Sequence, residues 1–393
     1  MNIQNKTAKL VTVALLASVS VAIAQEPVVS KGGTKIELYG QVQLNTVWED
    51  GVVSTDAQNW SYYAPKENDE GGSRTLMNIN HSRIGLNLIG PQSEGESEIS
   101  GKFEVDFNNS NSRSSNGVGN LRIRHSYGQV KFSNIGLTLL MGQTYDVVSP
   151  RDPAVLSEGT GNYTGNIGTR RPQIRLTQPI GPLEIAVAAL DDRGANAPKV
   201  PAIQGRLGVK IPAEWASEKE NLEIGISGHF AKEKDTDITE DQPYVKVPRS
   251  WSVNADLNLP VINIVNFSGE FFYGQNLKQY ANGSLGLTSA DTREYDGIRT
   301  LGGWANLGVK LPAKLTFNGG MGAEAIKDVE DLKAGSRSHN MAIYSNLRYN
   351  FIPNAYLGIE YFRIDTEYTS DGGEDVKKGV INRVELAFQY AFK

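Results

Sequence analysis

Ionisable side chains occupy one phase of a chain that is otherwise apolar at every second residue. They include Lys102, Glu104 and Asp106, then Arg122 and Arg124, Arg206, Glu270, and Arg383 with Glu385. A charge at mid-bilayer on the lipid face of a barrel costs about 2–4 kcal/mol, and a packed soluble core is no cheaper, so a set of this size must face water. Arginine there stays charged at any relevant pH, and its planar fork pairs bidentately with carboxylate or phosphate. Bond-making chemistry has little to work with. His81, His125, His229 and His339 are scattered singly, no Gly-x-Ser-x-Gly or His-Glu-x-x-His occurs, and cysteine is absent. Gly159-Thr160-Gly161 has no Gly at 164 and no helical pattern after it, so it makes no nucleotide loop. No cofactor, metal or catalytic residue is expected.

The elements that carry these charges repeat one unit about sixteen times between Lys35 and Lys393: some ten alternating residues, then a turn or a polar loop. In the first unit Ile36, Leu38, Val42, Leu44 and Trp48 share one face, and Glu37, Tyr39, Gln41, Gln43 and Asn45 the other. In the last, Val384, Leu386, Phe388, Tyr390 and Phe392 oppose Arg383, Glu385, Ala387, Gln389 and Ala391. The second strand is read as Asn80–Ile89 and the fourth as Leu121–Phe132. The fourth breaks phase: Leu121, Ile123 and Tyr127 share a face, whereas Val130 and Phe132 fall on the other. His125 sits in its apolar phase, which reads as a rim or interface position. Links alternate in length, with seven short turns such as Pro179–Pro182 and eight long polar loops such as Glu49–Arg74 and Tyr145–Arg170. That is the pattern of a sixteen-stranded antiparallel transmembrane β-barrel with both termini on the short-turn rim.

The N-terminus adds a compartment. Lys6 and Lys9 precede an apolar stretch from Leu10 to Ala24 that ends in Ala22-Ile23-Ala24, the architecture of a secretory signal peptide over residues 1–24. An uncleaved helix would need about 20 apolar residues, and this segment is shorter and carries Thr12, Ser18 and Ser20. Cleavage leaves a short lead at 25–34 and the barrel at 35–393. Loss of Lys6 and Lys9 lowers the basic count from 39 to 37 against 44 acidic residues, and the net charge from −5 to −7. Nucleic acid is not an expected partner of such a chain.

The chain resembles the sixteen-stranded bacterial outer-membrane porins. The resemblance is carried by Ile36-Glu37-Leu38-Tyr39-Gly40, Ser82-Arg83-Ile84-Gly85-Leu86, Leu121-Arg122-Ile123-Arg124-His125-Ser126-Tyr127-Gly128 and Gly142-Gln143-Thr144. Arg170-Arg171-Pro172-Gln173-Ile174-Arg175 is similar to the DcaP-like branch, whose members take up small organic acids. The resemblance implies a homotrimer in the outer membrane, in contact with lipid and lipopolysaccharide, each barrel passing small hydrophilic solutes by diffusion. It also implies that the loop 145–169, with Asp146, Asp152 and Glu158, folds inward as a constriction. A basic strip would face it: Arg83, Lys102, Arg122, Arg124 and Arg383, with Arg171, Arg175 and Arg206 on the far side. Facing rows of opposite charge order dipolar solutes, and an excess of arginine favours anions such as dicarboxylates.

Other readings stand beside this one. The loop could remain external, and the arginines could serve only to satisfy lumen carboxylates such as Glu104, Asp106 and Glu385. The pore could prefer cations or nothing. The chain departs from the family pattern in ending on Lys393 after Phe392, and in having no heptads in Gln25–Thr34. A barrel enzyme lacks a converging nucleophile and base, and a soluble adhesin would need both sheet faces packed. A barrel is expected to partition with outer membranes, require detergent, and migrate differently on SDS gels before and after boiling. Release into plain buffer would exclude it.

Overall fold

The computed structural model describes residues 29–31, 33–52, 62–66, 72–91, 97–109, 120–156, 164–191, 200–232, 249–280, 283–288, 291–292, 297–370 and 377–393. The signal segment 1–24 and Glu158 lie outside the described residues. Sixteen strands form one closed antiparallel barrel. They are β1 (Thr34–Val52), β2 (in two pieces, Gly72–Asn78 and Arg83–Ile89), β3 (Ser97–Asn109), β4 (Asn120–Phe132), β5 (Leu137–Tyr145), β6 (Arg170–Ile180), β7 (Leu183–Leu190) and β8 (Ala202–Pro212). The second half comprises β9 (Asn221–Lys232), β10 (Arg249–Ile262), β11 (Val265–Gln275), β12 (Arg299–Leu311), β13 (Leu315–Ile326), β14 (Arg337–Ile352), β15 (Ala355–Tyr368) and β16 (Lys377–Phe392). Closure is by β16 on β1, from Arg383 opposite Glu49 to Phe392 opposite Gly40. Beyond that end, a short strand Val29–Lys31 folds back on Ile36–Thr34.

Alternation decides which side faces what. On β1, Val42 is 52%, Leu44 43% and Trp48 42% exposed, whereas Gln43 is 3% and Asn45 0% exposed. The inversion of the usual order, apolar outside and polar inside, continues through Leu386, Phe388 and Tyr390 outside against Arg383 and Glu385 inside. An apolar belt this extensive is stable only where the surrounding solvent is hydrocarbon. Backbone polar groups cannot stay unpaired there, and closure of β16 on β1 removes the two free edges.

Two strands differ from the sequence reading, each for a local reason. β2 begins at Gly72 rather than Asn80, and Ile79–Ser82 interrupts it with a turn closed by the Ser82 N–H donating to Ile79 O at 2.8 Å. On β4, the register against β3 slips between Glu104 and Val105: Glu104 faces His125 and Val105 faces Ile123, which leaves Arg124 as an extra residue. That β-bulge accounts for the phase break in the sequence, since one unpaired residue shifts every later side chain to the other face. His125 is therefore buried inside, with Nδ1 3.0 Å from Thr144 Oγ1, and is not at a lipid-facing rim.

Segments from three long loops lie within the barrel. Ala64 donates its N–H to Thr366 Oγ1 at 2.8 Å and accepts from the Tyr368 hydroxyl at 2.5 Å, both on β15. The Tyr280 ring stacks on His229 of β9 at 3.9 Å, while the Arg171 guanidinium of β6 covers it at 3.9 Å. The third runs from Asp146 across the lumen. Val147 N–H donates to Gln204 on β8 at 2.9 Å, and Ser227 on β9 donates to Val148 O at 3.0 Å. Leu156 N–H then reaches Glu360 on β15 at 2.9 Å, and Asn346 and Arg348 on β14 donate to Ala154 O at 2.7 Å and Val155 O at 2.8 Å. On the return limb, Thr164 and Gly165 meet the wall backbone to backbone. A Cβ at Gly165 would strike Gly303 O and Ala323 O, and one at Gly322 would strike Thr164 O. Gly165 also has φ +85, which a side chain would strain.

Two outcomes are expected. Leu386→Arg on the lipid face should destabilise the folded barrel by about 2–4 kcal/mol in reversible folding into liposomes, whereas Thr177→Arg on the inner wall should cost less than about 1 kcal/mol. Gly322→Val should displace the return limb and raise single-channel conductance while leaving β-content by circular dichroism unchanged.

Candidate functional site

The inner wall of β1–β4 is organised in cross-strand rows, because directly opposed residues on one face sit about 4.5–5.5 Å apart. One row runs Gln41, Arg83, Asp106, Arg122. The next runs Tyr39, Gly85, Glu104, His125. Arg122 forks onto Asp106, Nε to Oδ1 at 2.9 Å and Nη2 to Oδ2 at 2.6 Å. Arg124, displaced into the bulge, reaches both rows: Nε to Glu104 Oε1 at 2.6 Å and Nη1 to Asp106 Oδ2 at 3.0 Å. Gly85 leaves its place to the Tyr39 ring, which lies across it and donates its hydroxyl to Glu104 Oε2 at 2.8 Å. Lys102 sits over that ring, Nζ 4.9 Å from the centroid.

The cationic surface continues onto β5 and β6. The Tyr145 hydroxyl accepts from Arg124 Nη2 at 3.2 Å and from Arg170 Nη1 at 2.8 Å, which leaves its own proton to donate elsewhere. Arg175 lies half-exposed two places beyond the buried Gln173 on the inner face of β6. Arg83, Lys102 and Arg170 are likewise half-exposed, and the Arg122 side chain is 33% exposed. Arg124, at 2%, works mainly through Glu104 and Asp106.

The other sequence-named cations are placed differently. Arg171 is buried, with Nη2 donating to Gln279 O at 2.6 Å and Nε 3.6 Å from Asp146. Asp146 also accepts the Thr169 N–H at 3.1 Å, so this acid closes the base of the third loop. Arg383 is buried against Glu49 at 2.6 Å, and Arg74 reaches the other Glu49 oxygen at 2.8 Å. Breaking a buried pair of this kind costs about 3–5 kcal/mol, which is a structural duty. Arg206 forks onto Asp256 on the far wall, Nε to Oδ2 at 3.1 Å and Nη2 to Oδ1 at 2.8 Å. Asp152 is exposed to the lumen, accepts from Asn166 at 3.2 Å, and lies within Coulombic reach of Arg170, Arg124 and Arg83.

Sequence reasoning missed Arg151, Tyr145, Arg170 and the wall acids Glu223 and Asp256. Arg151 stands beside Asp152 in a loop whose acids alone suggested a role, and its own cationic character was the available signal. Tyr145 and Arg170 entered only as the edges of motifs. Asp256 and Glu223 carried no signal, because nothing in a strand's own sequence says which loop residue will come to rest on it.

What these walls can do chemically is hold fixed charges beside water. The comparisons with known proteins agree with the fold. The family described as DcaP outer membrane protein matches residues 2–192. The crystal structure of the outer membrane channel DcaP of Acinetobacter baumannii is similar, with a TM-score of 0.71 at 19% identity, covering 92% of this chain and 99% of that one. The anion-selective porin from Comamonas acidovorans has a TM-score of 0.61 at 13% identity, covering 91% and 100%. OmpT of Vibrio cholerae, folded in vitro, has a TM-score of 0.57 at 11% identity, covering 94% and 100%. No curated protein sequence matches the chain. Homologous to the DcaP outer membrane proteins over residues 2–192 and closed into sixteen antiparallel strands, the chain is a porin-type barrel, a channel rather than an enzyme.

Proposed function

We propose that this porin passes small hydrophilic anions, organic dicarboxylates among them, by diffusion past a constriction formed by the loop 145–169. The observation that carries the reading is the cationic wall. Half-exposed Arg83, Lys102, Arg122, Arg170 and Arg175 outnumber the carboxylates Glu104 and Asp106 beside them, and Asp152 is the acid that faces them from the loop. A solute carboxylate entering there exchanges water for guanidinium donors and the Tyr145 hydroxyl, and a second carboxylate finds a further arginine on the same wall. The glycines and half-exposed polar groups keep the path wet, so contact is weak and multiple enough to permit exit. The similar porin from Comamonas acidovorans is anion-selective, which supports the same direction. Cleavage after Ala24 and assembly as a homotrimer in lipid and lipopolysaccharide complete the reading, on the strength of the leader sequence and the resemblance.

Reversal potentials in planar bilayers under a KCl gradient test it. Anion preference is expected, and cation preference would overturn it. Arg122→Ala with Arg124→Ala should move the reversal potential toward cations, because Asp106 and Glu104 then face the lumen uncompensated; an unchanged potential would make both arginines purely structural.

A further inference from the structure

The wall opposite the cationic surface is acidic by sequence, and its acids are neutralised from the loop. Glu223 on β9, Asp256 on β10 and Glu270 on β11 point inward, with Asp256 directly opposite Glu270. Arg206 takes Asp256, and Lys210 takes Glu223 at 2.9 Å. Gly208 and Gly225 make the floor on which the Arg206 guanidinium lies, since a Cβ at either would strike it. One cation is still short, and it comes from the third loop. Arg151 Nη2 donates to Glu223 Oε2 at 2.7 Å, Nε to Asp256 Oδ1 at 3.3 Å, and its backbone N–H to Glu270 Oε1 at 2.8 Å. Ser149, two residues earlier, hydrogen-bonds the other Glu270 oxygen.

We infer that Arg151 is a positioning and selectivity-determining residue, which pins the loop to the acidic wall and cancels the charge that would draw cations. Consecutive residues then serve opposite walls: Arg151 ties down the acids of β9–β11, and Asp152 faces the arginines of β2, β4 and β6. The role rests on the loop acting as a constriction, but its direction does not depend on which ion the intact pore prefers.

Reversal potentials and single-channel conductance of Arg151→Gln, Arg151→Lys and the double variant Arg151→Gln with Glu223→Gln test it, each verified as folded by heat-modifiable migration. Arg151→Gln should lower the anion-to-cation permeability ratio about threefold and raise open-channel noise as the loop loosens. Arg151→Lys, which keeps the charge, should hold the ratio near that of the unaltered protein. Glu223→Gln in the Arg151→Gln background should restore at least half of the lost preference while leaving the noise. An unchanged ratio in Arg151→Gln overturns the inference, as does a shift that Glu223→Gln does not reverse. The sign of the unaltered pore's own potential bears only on the anion reading.

Discussion

Pairing of charge across neighbouring strands is the constraint on which this interior depends. A barrel of this width cannot fill its lumen with apolar side chains and remain a channel, so the inner face must be polar, and polar groups crowded on a curved wall are costly unless satisfied. Rows of opposed residues supply the satisfaction: Arg74, Glu49 and Arg383 across β2, β1 and β16, and Arg83, Asp106 and Arg122 across β2, β3 and β4. Each pair is held by two strands already fixed by backbone hydrogen bonds, so little side-chain freedom is lost in forming it. What remains open to water after this pairing is the functional surface.

The same constraint explains why the loops turn inward. Carboxylates such as Glu270 and Glu360 accept backbone N–H groups of the third loop, from Arg151 and Leu156, so the loop's irregular backbone and the wall's acids satisfy each other. Apolar side chains follow them in: Val155 packs among Ala342, Tyr344, Phe362 and Ile364, and Val148 with Ile167 among Phe272, Leu277 and Tyr280. These are small cores inside a water-filled barrel, built by loops against wall positions where alternation would call for polar residues.

The strands were legible in the chain because a period of two, with hydrocarbon on one side and water on the other, leaves a strong mark on every element. The inward set came with them: Glu104, Asp106, Arg122 and Arg383 face inside as their phase required. Partnership did not, because register between strands separated by long loops is not written in either strand. Arg122 and Arg383 look equivalent in sequence, yet one is a third open to the lumen and the other is sealed against Glu49. Position along the barrel axis, and which loop lies over a residue, make that difference.

The bulge at Arg124 has a consequence for how this chain can change in length. A long loop can gain or lose residues without disturbing the wall only outside the segments that pack against it, such as residues 146–156 of the third loop. Between Glu104 and Asp106 of β3, however, β4 holds one residue more than pairing needs. Deleting it would restore strict alternation and leave every other side chain of β4 on the face it already occupies, because Ile123 outside and His125 inside are in phase once the extra residue is gone. Leu121 and Ile123 would stay in hydrocarbon, and Arg122, His125, Tyr127 and Gln129 would stay inside. A one-residue gap here thus keeps both faces of the wall and removes only the guanidinium that joins Glu104 to Asp106, whereas the same gap in a regular stretch of strand would invert everything on one side of it.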